Sequence, residues 1–318
     1  MTVVLTLIVI CLGVRLVWND PDKTEPYQLI FIPKTIDPAN GFWTALIDGA
    51  KLGAEEMGAE IEVMGASTED DVEGQIEIIR QSMKKKPDAL LVAPGDYSQV
   101  SDVLQEVVDA GIPLILLDSV IDREIAVSEI GTDNYRAGKE LGEYAESLVD
   151  EEVEIGIISH VKGSSTAMER SNGICDGLGE ASHQIRSIVY CNSSYEKAYE
   201  LTMDMLNRYP KIGLLVATNE YGAIGAARAI NDLGLAGKVK MVGFDSSIEE
   251  IQLLEMGVFQ AIIIQKPVNM GYLGVEQAIH ALTGKKVEPK LDSGSKLITK
   301  ENLYEDENQR LLYPFSGQ

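Results

Sequence analysis

Five polar residues stand directly after short apolar runs of this sequence, where their side chains could bind a ligand through hydrogen bonds. They are Lys34, Asp118, Asn219, Asp245 and Gln265. The carboxyl ends of parallel strands lie at one edge of a sheet, and α/β proteins bind their ligands there. Each of these residues could equally cap a helix or solvate a turn. Because the five come from both halves of the chain, only a site shared by two domains would use them together.

Aromatic and basic side chains extend this polar set. Phe42 and Trp43 open a predicted helix after the first strand, and two adjacent rings cannot both face the core of a helix. One ring would then face the cleft, where it could cover the apolar face of a sugar. The planar guanidinium of Arg170 could bind two ligand oxygens. The competing interpretations are core packing for the aromatic pair and, for Arg170, a surface ion pair with Glu169 or Asp176.

The sequence contains no recognisable catalytic arrangement. It lacks GxSxG, HExxH and GxxxxGK[ST], and its glycines form no dinucleotide fingerprint. Asp118 and Asp245 could in principle pair as acid and base, but no histidine lies near in sequence to activate a serine. Three scattered histidines and three cysteines make a metal site unexpected. We therefore predict no enzymatic activity, no metal and no cofactor.

Composition and charge narrow the class of protein and its partners. Hydrophobic residues make up 45% and charged residues 24% of the 318, which is ordinary for a globular chain of more than one folding unit. The balance of 27 Lys and Arg against 50 Asp and Glu gives a net charge of −23. Such a chain repels phosphate backbones, so nucleic acid is not an expected partner.

The first residues predict export from the cytoplasm. Residues 2–18 are almost uninterruptedly apolar, close to the minimum of about 17 needed to span a bilayer. No basic residue precedes this run and no small-residue cleavage site follows it, so 1–18 is interpreted as a membrane anchor or uncleaved signal, with a cleaved export signal as the alternative. A polar linker is predicted at 19–26. A buried helix or strand is the weaker alternative.

From Tyr27 onward, short strands alternate with amphipathic helices in two series. The first series has strands at 28–32, 60–64, 89–92 and 114–117 and helices at 41–57, 70–83 and 100–110. The second, after residue 134, has helices at 136–148, 165–178, 195–207 and 221–233 and strands at 153–159, 185–189, 213–217 and 239–242. A late strand at 260–264 and a late helix at 270–282 follow. This alternation predicts an α/β fold of right-handed βαβ units with parallel sheets.

Seven segments, in order along the chain, resemble the type I periplasmic sugar-binding proteins, the ribose-binding-protein-like group. They are Phe31-Ile32-Pro33-Lys34, Phe42 to Ala50, Gly111-Ile112-Pro113 with Leu117-Asp118, Thr132-Asp133-Asn134, Met168-Glu169-Arg170, Thr218-Asn219-Glu220 and Val242-Gly243-Phe244-Asp245. The resemblance runs from about residue 27 to residue 300. It implies two Rossmann-like lobes joined by three crossovers that form a hinge. The N-terminal lobe would comprise 27–131 and 266–291, the C-terminal lobe 132–265 and 292–302, and a tail 303–318.

The resemblance also implies roles for individual residues. Phe42 and Trp43 would stack on the ligand, Asp118 would accept hydrogen bonds from its hydroxyls and Arg170 would donate to its oxygens. The remaining candidates are Asn40, Asn219, Asp245, Gln265 and, as the nearest match to a further aromatic, Tyr195.

Two positions depart from the pattern of that group. Ser119 stands where binders of pentoses and hexoses commonly carry arginine, and Lys34 stands where many carry a smaller polar residue. The Phe-Ile-Pro-Lys context of Lys34 is similar to binders of the furanosyl signal autoinducer-2. The ligand is therefore expected to differ from plain ribose.

The function implied is that of an extracytoplasmic solute-binding protein, which captures a sugar or sugar-like molecule by hinge closure and delivers it to an ABC importer. One alternative is a membrane-tethered sensor that signals to a histidine kinase or chemoreceptor. Another is the core of a lactose-repressor-type regulator. The regulator would need an N-terminal pair of DNA-binding helices, and residues 1–26 offer an apolar run instead.

Overall fold

The computed structural model describes residues 25–313. The predicted anchor at 1–18 and most of the predicted linker lie outside the described residues. Within 25–313, no helix has both the length and the apolar character that crossing a bilayer requires.

One lobe is built around a parallel sheet with the strand order β11-β5-β4-β3-β1-β2. Its strands are β1 Gln28–Ile32, β2 Glu60–Val63, β3 Ala89–Val92, β4 Leu114–Leu117, β5 Ser128–Gly131 and β11 Lys290–Asp292. Its helices are α1 Gly41–Glu56, α2 Val72–Lys84, α3 Ser101–Asp109 and α9 Pro267–Leu282. We call this the N-lobe.

The second lobe repeats this architecture with the strand order β12-β10-β9-β8-β6-β7, in which only β12 runs antiparallel to its neighbour. Its strands are β6 Glu154–Ser159, β7 Ile185–Tyr190, β8 Ile212–Ala217, β9 Lys240–Phe244, β10 Phe259–Gln265 and β12 Ser295–Thr299. Its helices are α4 Asn134–Glu146, α5 Ser165–Gly177, α6 Tyr195–Arg208, α7 Glu220–Asp232, α8 Ile248–Glu255 and α10 Asp306–Leu312, with a 3-10 helix at Gly179–Gln184. We call this the C-lobe.

The described chain passes between the lobes three times. It crosses after β5, again after β10, and a last time between β11 and β12. The predicted α/β fold with two lobes and parallel sheets is therefore confirmed. Each central strand is a short apolar run buried on both faces, as in β3 and β4, because helices cover both sides of each sheet.

The elements that were not predicted lack a continuous apolar run. β5 reads Ser-Glu-Ile-Gly, and β11 is three residues long and mostly exposed. β5 pairs with β4, and β11 pairs with β5 at the edge of the N-lobe sheet, next to the crossovers. α8 is short and begins with a capping box between Ser247 and Glu250, a signal that could have been read from the sequence.

Glycines let pairs of helices pack backbone against backbone in each lobe. In the C-lobe, Gly138 of α4 faces the backbone of Arg170, and Gly173 of α5 faces the backbone of Tyr135. In the N-lobe, Gly49 of α1 and Gly271 of α9 make the equivalent contacts. The close approach of α4 and α5 sets the position of Arg170 relative to the crossover at residue 134.

We predict that Gly173→Ala destabilises the C-lobe. A Cβ at this position would overlap the carbonyl oxygen of Tyr135, so α4 and α5 must separate, at about 1–3 kcal/mol. The midpoint of thermal unfolding should fall by about 3 °C or more. Glu143→Ala, on the exposed face of α4, is the control and should change it little. Equal midpoints for Gly173→Ala and the wild type would contradict the packing argument.

Candidate ligand-binding site between the lobes

A cavity of about 290 Å³ lies between the two lobes at the carboxyl ends of their strands. The lining residues come from both lobes and are Lys34, Asn40, Phe42, Trp43, Glu69, Asp118, His160, Thr166, Arg170, Asn219, Asp245 and Gln265. Every candidate from the sequence except Tyr195 is thus brought to one cavity.

Asp118 and Asp245 occupy equivalent places in the two lobes. Asp118 follows β4 and Asp245 follows β9, and both have a left-handed backbone, with φ of 63° and 82°. Each backbone N–H donates to the strand that the chain forms next, to Ile130 O and Ile263 O respectively, both at 2.9 Å. A left-handed backbone costs a non-glycine residue about 1–2 kcal/mol. Such strain persists where surrounding structure enforces it, often at functional sites.

Lys34 forms a buried ion pair at the N-lobe wall of the cavity. Its Nζ lies 2.8 Å from Asp118 Oδ2, and the two side chains are 3% and 4% exposed. The same ammonium donates to Thr166 Oγ1 of the C-lobe at 3.3 Å. Ser119 also donates to Asp118 Oδ2, at 2.9 Å. Asp118 Oδ2 thus accepts hydrogen bonds from both Lys34 and Ser119.

Arg170 is fixed on the C-lobe wall by three contacts. Its Nε donates to Asn134 Oδ1 at 2.8 Å, and its Nη1 donates to the carbonyl of Thr218 at 2.7 Å. The guanidinium lies over the ring of Phe244, 4.4 Å from its centroid. Arg170 is buried, so the surface ion pair considered as an alternative is not formed.

The aromatic pair Phe42 and Trp43 lines the cavity with both of its rings, which meet edge to face with centroids 5.1 Å apart. Trp43 is also part of the N-lobe core, so its cavity and core roles coexist. Its indole N–H donates to Glu69 Oε1 at 2.5 Å. Ser193 of the C-lobe donates to the other oxygen of Glu69 at 2.6 Å. Burial raises the pKa of Glu69, and nearby Lys34 opposes this.

Glu69, His160 and Thr166 line the cavity but were not predicted. His160 directly follows β6, so the strand-end rule that selected Asp118 could have found it. Its two ring nitrogens lie 2.8 Å from Thr218 Oγ1 and 2.9 Å from Thr166 Oγ1. Burial, together with the charges of Arg170 and Lys34, holds the pKa of His160 well below its ordinary value. The imidazole is therefore a neutral hydrogen-bonding group at neutral pH.

Tyr195 departs from the prediction because it lies outside the cavity lining. It is the first residue of α6, and its ring packs against Tyr221 with centroids 4.6 Å apart. Its hydroxyl donates to Glu220 Oε1 at 2.8 Å. The side chain is thus directed towards the start of α7.

Comparison with known proteins places this geometry in a family. Residues 30–286 match the model of the periplasmic binding protein domain. The D-ribose/D-allose-binding protein of Pseudomonas aeruginosa is 31% identical over 279 residues, covering 85% of this chain and 87% of that protein. The chain belongs to the type I periplasmic sugar-binding proteins.

Relatives and solved structures agree with this membership. The ribose import binding protein of Escherichia coli is 27% identical, with 82% of this chain and 88% of that protein covered. A sugar transporter from Clostridium phytofermentans is 44% identical, with a TM-score of 0.83 and 86% and 99% of the two chains covered. A carbohydrate transporter solute-binding protein from Agrobacterium radiobacter, solved with D-arabinose, has a TM-score of 0.86 at 26% identity, with coverage of 91% and 100%.

The predicted family and its extracytoplasmic, transport-linked character are therefore confirmed. Membership of a binding-protein family also agrees with the prediction that the chain is not an enzyme, since the family serves transport. The sensor and regulator alternatives are not favoured by these relatives.

Behind Asp245, this sugar-binding protein buries two further carboxyl groups, those of Glu220 and Glu250. Oε2 of Glu250 accepts hydrogen bonds from Ser247 N at 2.8 Å and Ser247 Oγ at 2.9 Å. Oε1 has no hydrogen-bond partner among the described residues. Burial, with Glu220 and Asp245 close by, raises the pKa of Glu250 well above its ordinary value. Glu250 therefore keeps its proton in the folded state at pH values where an unfolded chain would lose it.

We predict that Glu250→Gln stabilises the protein at pH 8 but not near pH 4.5. Below the unfolded pKa of about 4.5, both states of the wild type hold the proton. As the pH rises from there to the raised pKa of the folded state, unfolding releases the proton and wild-type stability is lost. Glutamine has no proton to release in this pH range, so the variant does not lose this stability. The difference in unfolding midpoint between variant and wild type should therefore grow with pH.

Thermal unfolding from pH 4.5 to 8 measures this difference. Glu249→Gln, at the adjacent exposed carboxylate that pairs with Arg228, is the control and should show no such growth. A difference for Glu250→Gln that is the same at every pH would contradict the assignment.

Proposed function

We propose that this protein captures an uncharged monosaccharide or sugar-like molecule in the interlobe cavity and delivers it to an ABC importer. The observation that carries the proposal is the lining of the cavity. Carboxylates, amides, a hydroxyl, an imidazole and two cations surround two aromatic rings. A hydroxyl group both donates and accepts hydrogen bonds, so a lining that offers donors next to acceptors suits a ligand with many hydroxyl groups. The aromatic rings suit the apolar C–H face of a sugar.

The charges of the lining favour an uncharged ligand. Lys34 is paired with Asp118. Burial raises the pKa of Asp245, and the nearby charge of Arg170 opposes this rise. Each cation thus has a carboxylate in its own lobe, and Glu69 adds a further acidic group. A sugar phosphate would bring negative charge to a cavity with no excess positive charge, so a neutral polyol fits better.

The Lys34–Asp118 pair is the feature that we propose sets the ligand apart from ribose. A buried lysine between Asp118 and Thr166 occupies space and directs an ammonium group into the cavity. This arrangement supports a compact furanose-like ligand with an oxygen near Lys34. This proposal agrees with the similarity of the Phe-Ile-Pro-Lys segment to proteins that bind furanosyl signals.

We further propose that residues 2–18 attach the protein to the outer face of the membrane, or export it. This rests on their apolar sequence alone, since they lie outside the described residues. A tether would keep the binding protein near its importer and would equally suit delivery to a membrane sensor.

The ligand class is tested by thermal-shift measurements against pentoses, hexoses, polyols, furanosyl signals and their phosphates. We expect stabilisation by at least one neutral sugar or furanose, and none by the phosphates. Stabilisation by phosphorylated sugars alone would overturn the proposed charge preference. No response to any neutral member would count against sugar binding.

We predict that Asp245→Ala abolishes ligand binding, measured as at least a hundredfold weaker affinity by calorimetry. The carboxylate accepts from Gln265 Nε2 at 2.6 Å and Glu220 N at 2.8 Å, and its loss leaves these donors and the ligand hydroxyls unpaired. Asp204→Ala, at a position outside the cavity lining, is the matched control. Affinity retained by a folded Asp245→Ala protein would refute the assignment.

A further inference from the structure

A buried glutamate outside the cavity lining connects the two lobes. Glu220, the first residue of α7 in the C-lobe, is 2% exposed. Its Oε2 accepts hydrogen bonds from Gly41 N at 3.0 Å and Phe42 N at 3.3 Å. These two N–H groups open α1 of the N-lobe. The N-terminus of a helix has unpaired N–H groups and partial positive charge, so a carboxylate from the other lobe is favourable there.

Neighbouring residues add to this contact. Tyr195 donates to Glu220 Oε1 at 2.8 Å, and Tyr221 donates to Asp37 Oδ2 of the N-lobe at 3.0 Å. Asp37 in turn accepts from Ala39 N at 2.9 Å, which holds the turn leading to α1. We call the contact of Glu220 and Tyr221 with Asp37 and the first turn of α1 the Glu220 clasp.

The clasp is joined to both walls of the cavity. On the C-lobe side, the backbone N–H of Glu220 donates to Asp245 Oδ2 at 2.8 Å. On the N-lobe side, Glu220 accepts hydrogen bonds from the turn that contains Asn40 and Phe42, and both of these residues line the cavity. Asn40 caps α1 by accepting from Trp43 N at 3.0 Å. The clasp therefore makes direct contacts with both walls of the cavity.

We propose that Glu220 is a positioning residue that stabilises the closed arrangement of the lobes, even without sugar. Its contacts with Gly41 and Phe42 exist only when the lobes are together, because donor and acceptor belong to different lobes. The clasp holds Asn40 and Phe42 against the cavity and opposes opening after a ligand has bound. The effect on ligand release rests on the proposed function, whereas the effect on closure does not.

Closure is measured on the full chain without sugar by single-molecule fluorescence. The two dyes are carried by non-natural amino acids at exposed Lys51 and Lys211, one in each lobe. Burial and the nearby charge of Asp245 raise the pKa of Glu220 to about 7, so closure is measured at pH 8, where the carboxylate is mostly ionised. We expect a closed population in the wild type and a ratio of closed to open protein about tenfold lower in Glu220→Ala, as for the loss of a charge-assisted hydrogen bond. Tyr221→Phe, which keeps the ring and loses one interlobe bond, should lower the ratio less.

Glu249→Gln is the matched control, since its carboxylate lies on the same lobe and pairs only with Arg228 in the contacts described. Its ratio should equal that of the wild type. Equal ratios for Glu220→Ala and the wild type, including no closed population in either, would overturn the proposal. If Glu220→Ala does not fold, Glu220→Gln and Tyr221→Phe decide the outcome by the same criterion.

Release of a bound sugar, followed by stopped flow, separates the clasp from the proposed function. The probe is the neutral sugar or furanose that stabilises the wild type most in the thermal-shift panel. Glu220→Ala should release this sugar about tenfold faster with little change in association, because the clasp forms only after the lobes meet. An unchanged release rate in a variant that binds the sugar would overturn the role in retention. Absence of binding by every neutral member of the panel would count against the proposed function, and the sugar-free ratio would still decide the clasp.

Discussion

Charge that is buried in the cleft must be balanced within each lobe, and this constraint organises the rest of the site. An unpaired buried charge costs several kcal/mol, and two lobes carrying net charge of the same sign would repel as they close. The N-lobe balances Asp118 with Lys34 at 2.8 Å. The C-lobe sets Arg170 near Asp245, where it favours the ionised carboxylate against the effect of burial. The lobes then meet around the ligand with Asp118 and Asp245 each set against a cation of the same lobe.

The equivalent placement of these two pairs follows from the repeated fold. In each lobe an aspartate follows the fourth parallel strand, adopts a left-handed backbone and donates its N–H to the following strand. Gly131 lies where a Cβ would come 3.1 Å from the carbonyl oxygen of Asp118, so a small residue is needed beside this bend. The strained backbone turns each carboxylate away from its sheet and towards the gap between the lobes.

The sequence predicted those parts of the molecule whose signal is local. Continuous apolar runs located the central strands, and polar residues at strand ends located five residues of the cavity lining, Lys34, Asp118, Asn219, Asp245 and Gln265. The strand β5, between β11 and β4, was missed because its sequence Ser-Glu-Ile-Gly forms a strand through pairing with its neighbours and has no continuous apolar run. Glu69 and Thr166 were missed because neither directly follows a strand, although both line the cavity. Tyr195 shows the converse error, because a suitable residue type near the right strand was directed towards Glu220 instead.

One hydrogen-bonded path links the crossover, the cavity and the interlobe contact. Thr132, at the first crossover, donates to Gln265 at the second at 2.9 Å, and Gln265 donates to Asp245 at 2.6 Å. Asp245 accepts from the backbone of Glu220, whose side chain reaches α1 of the other lobe. A ligand hydroxyl at Asp245 would thus contact the middle of this path, with the hinge on one side and the Glu220 clasp on the other. Small shifts at Asp245 would then be shared between hinge and clasp, which is how a molecule of modest size can bias the position of two whole lobes.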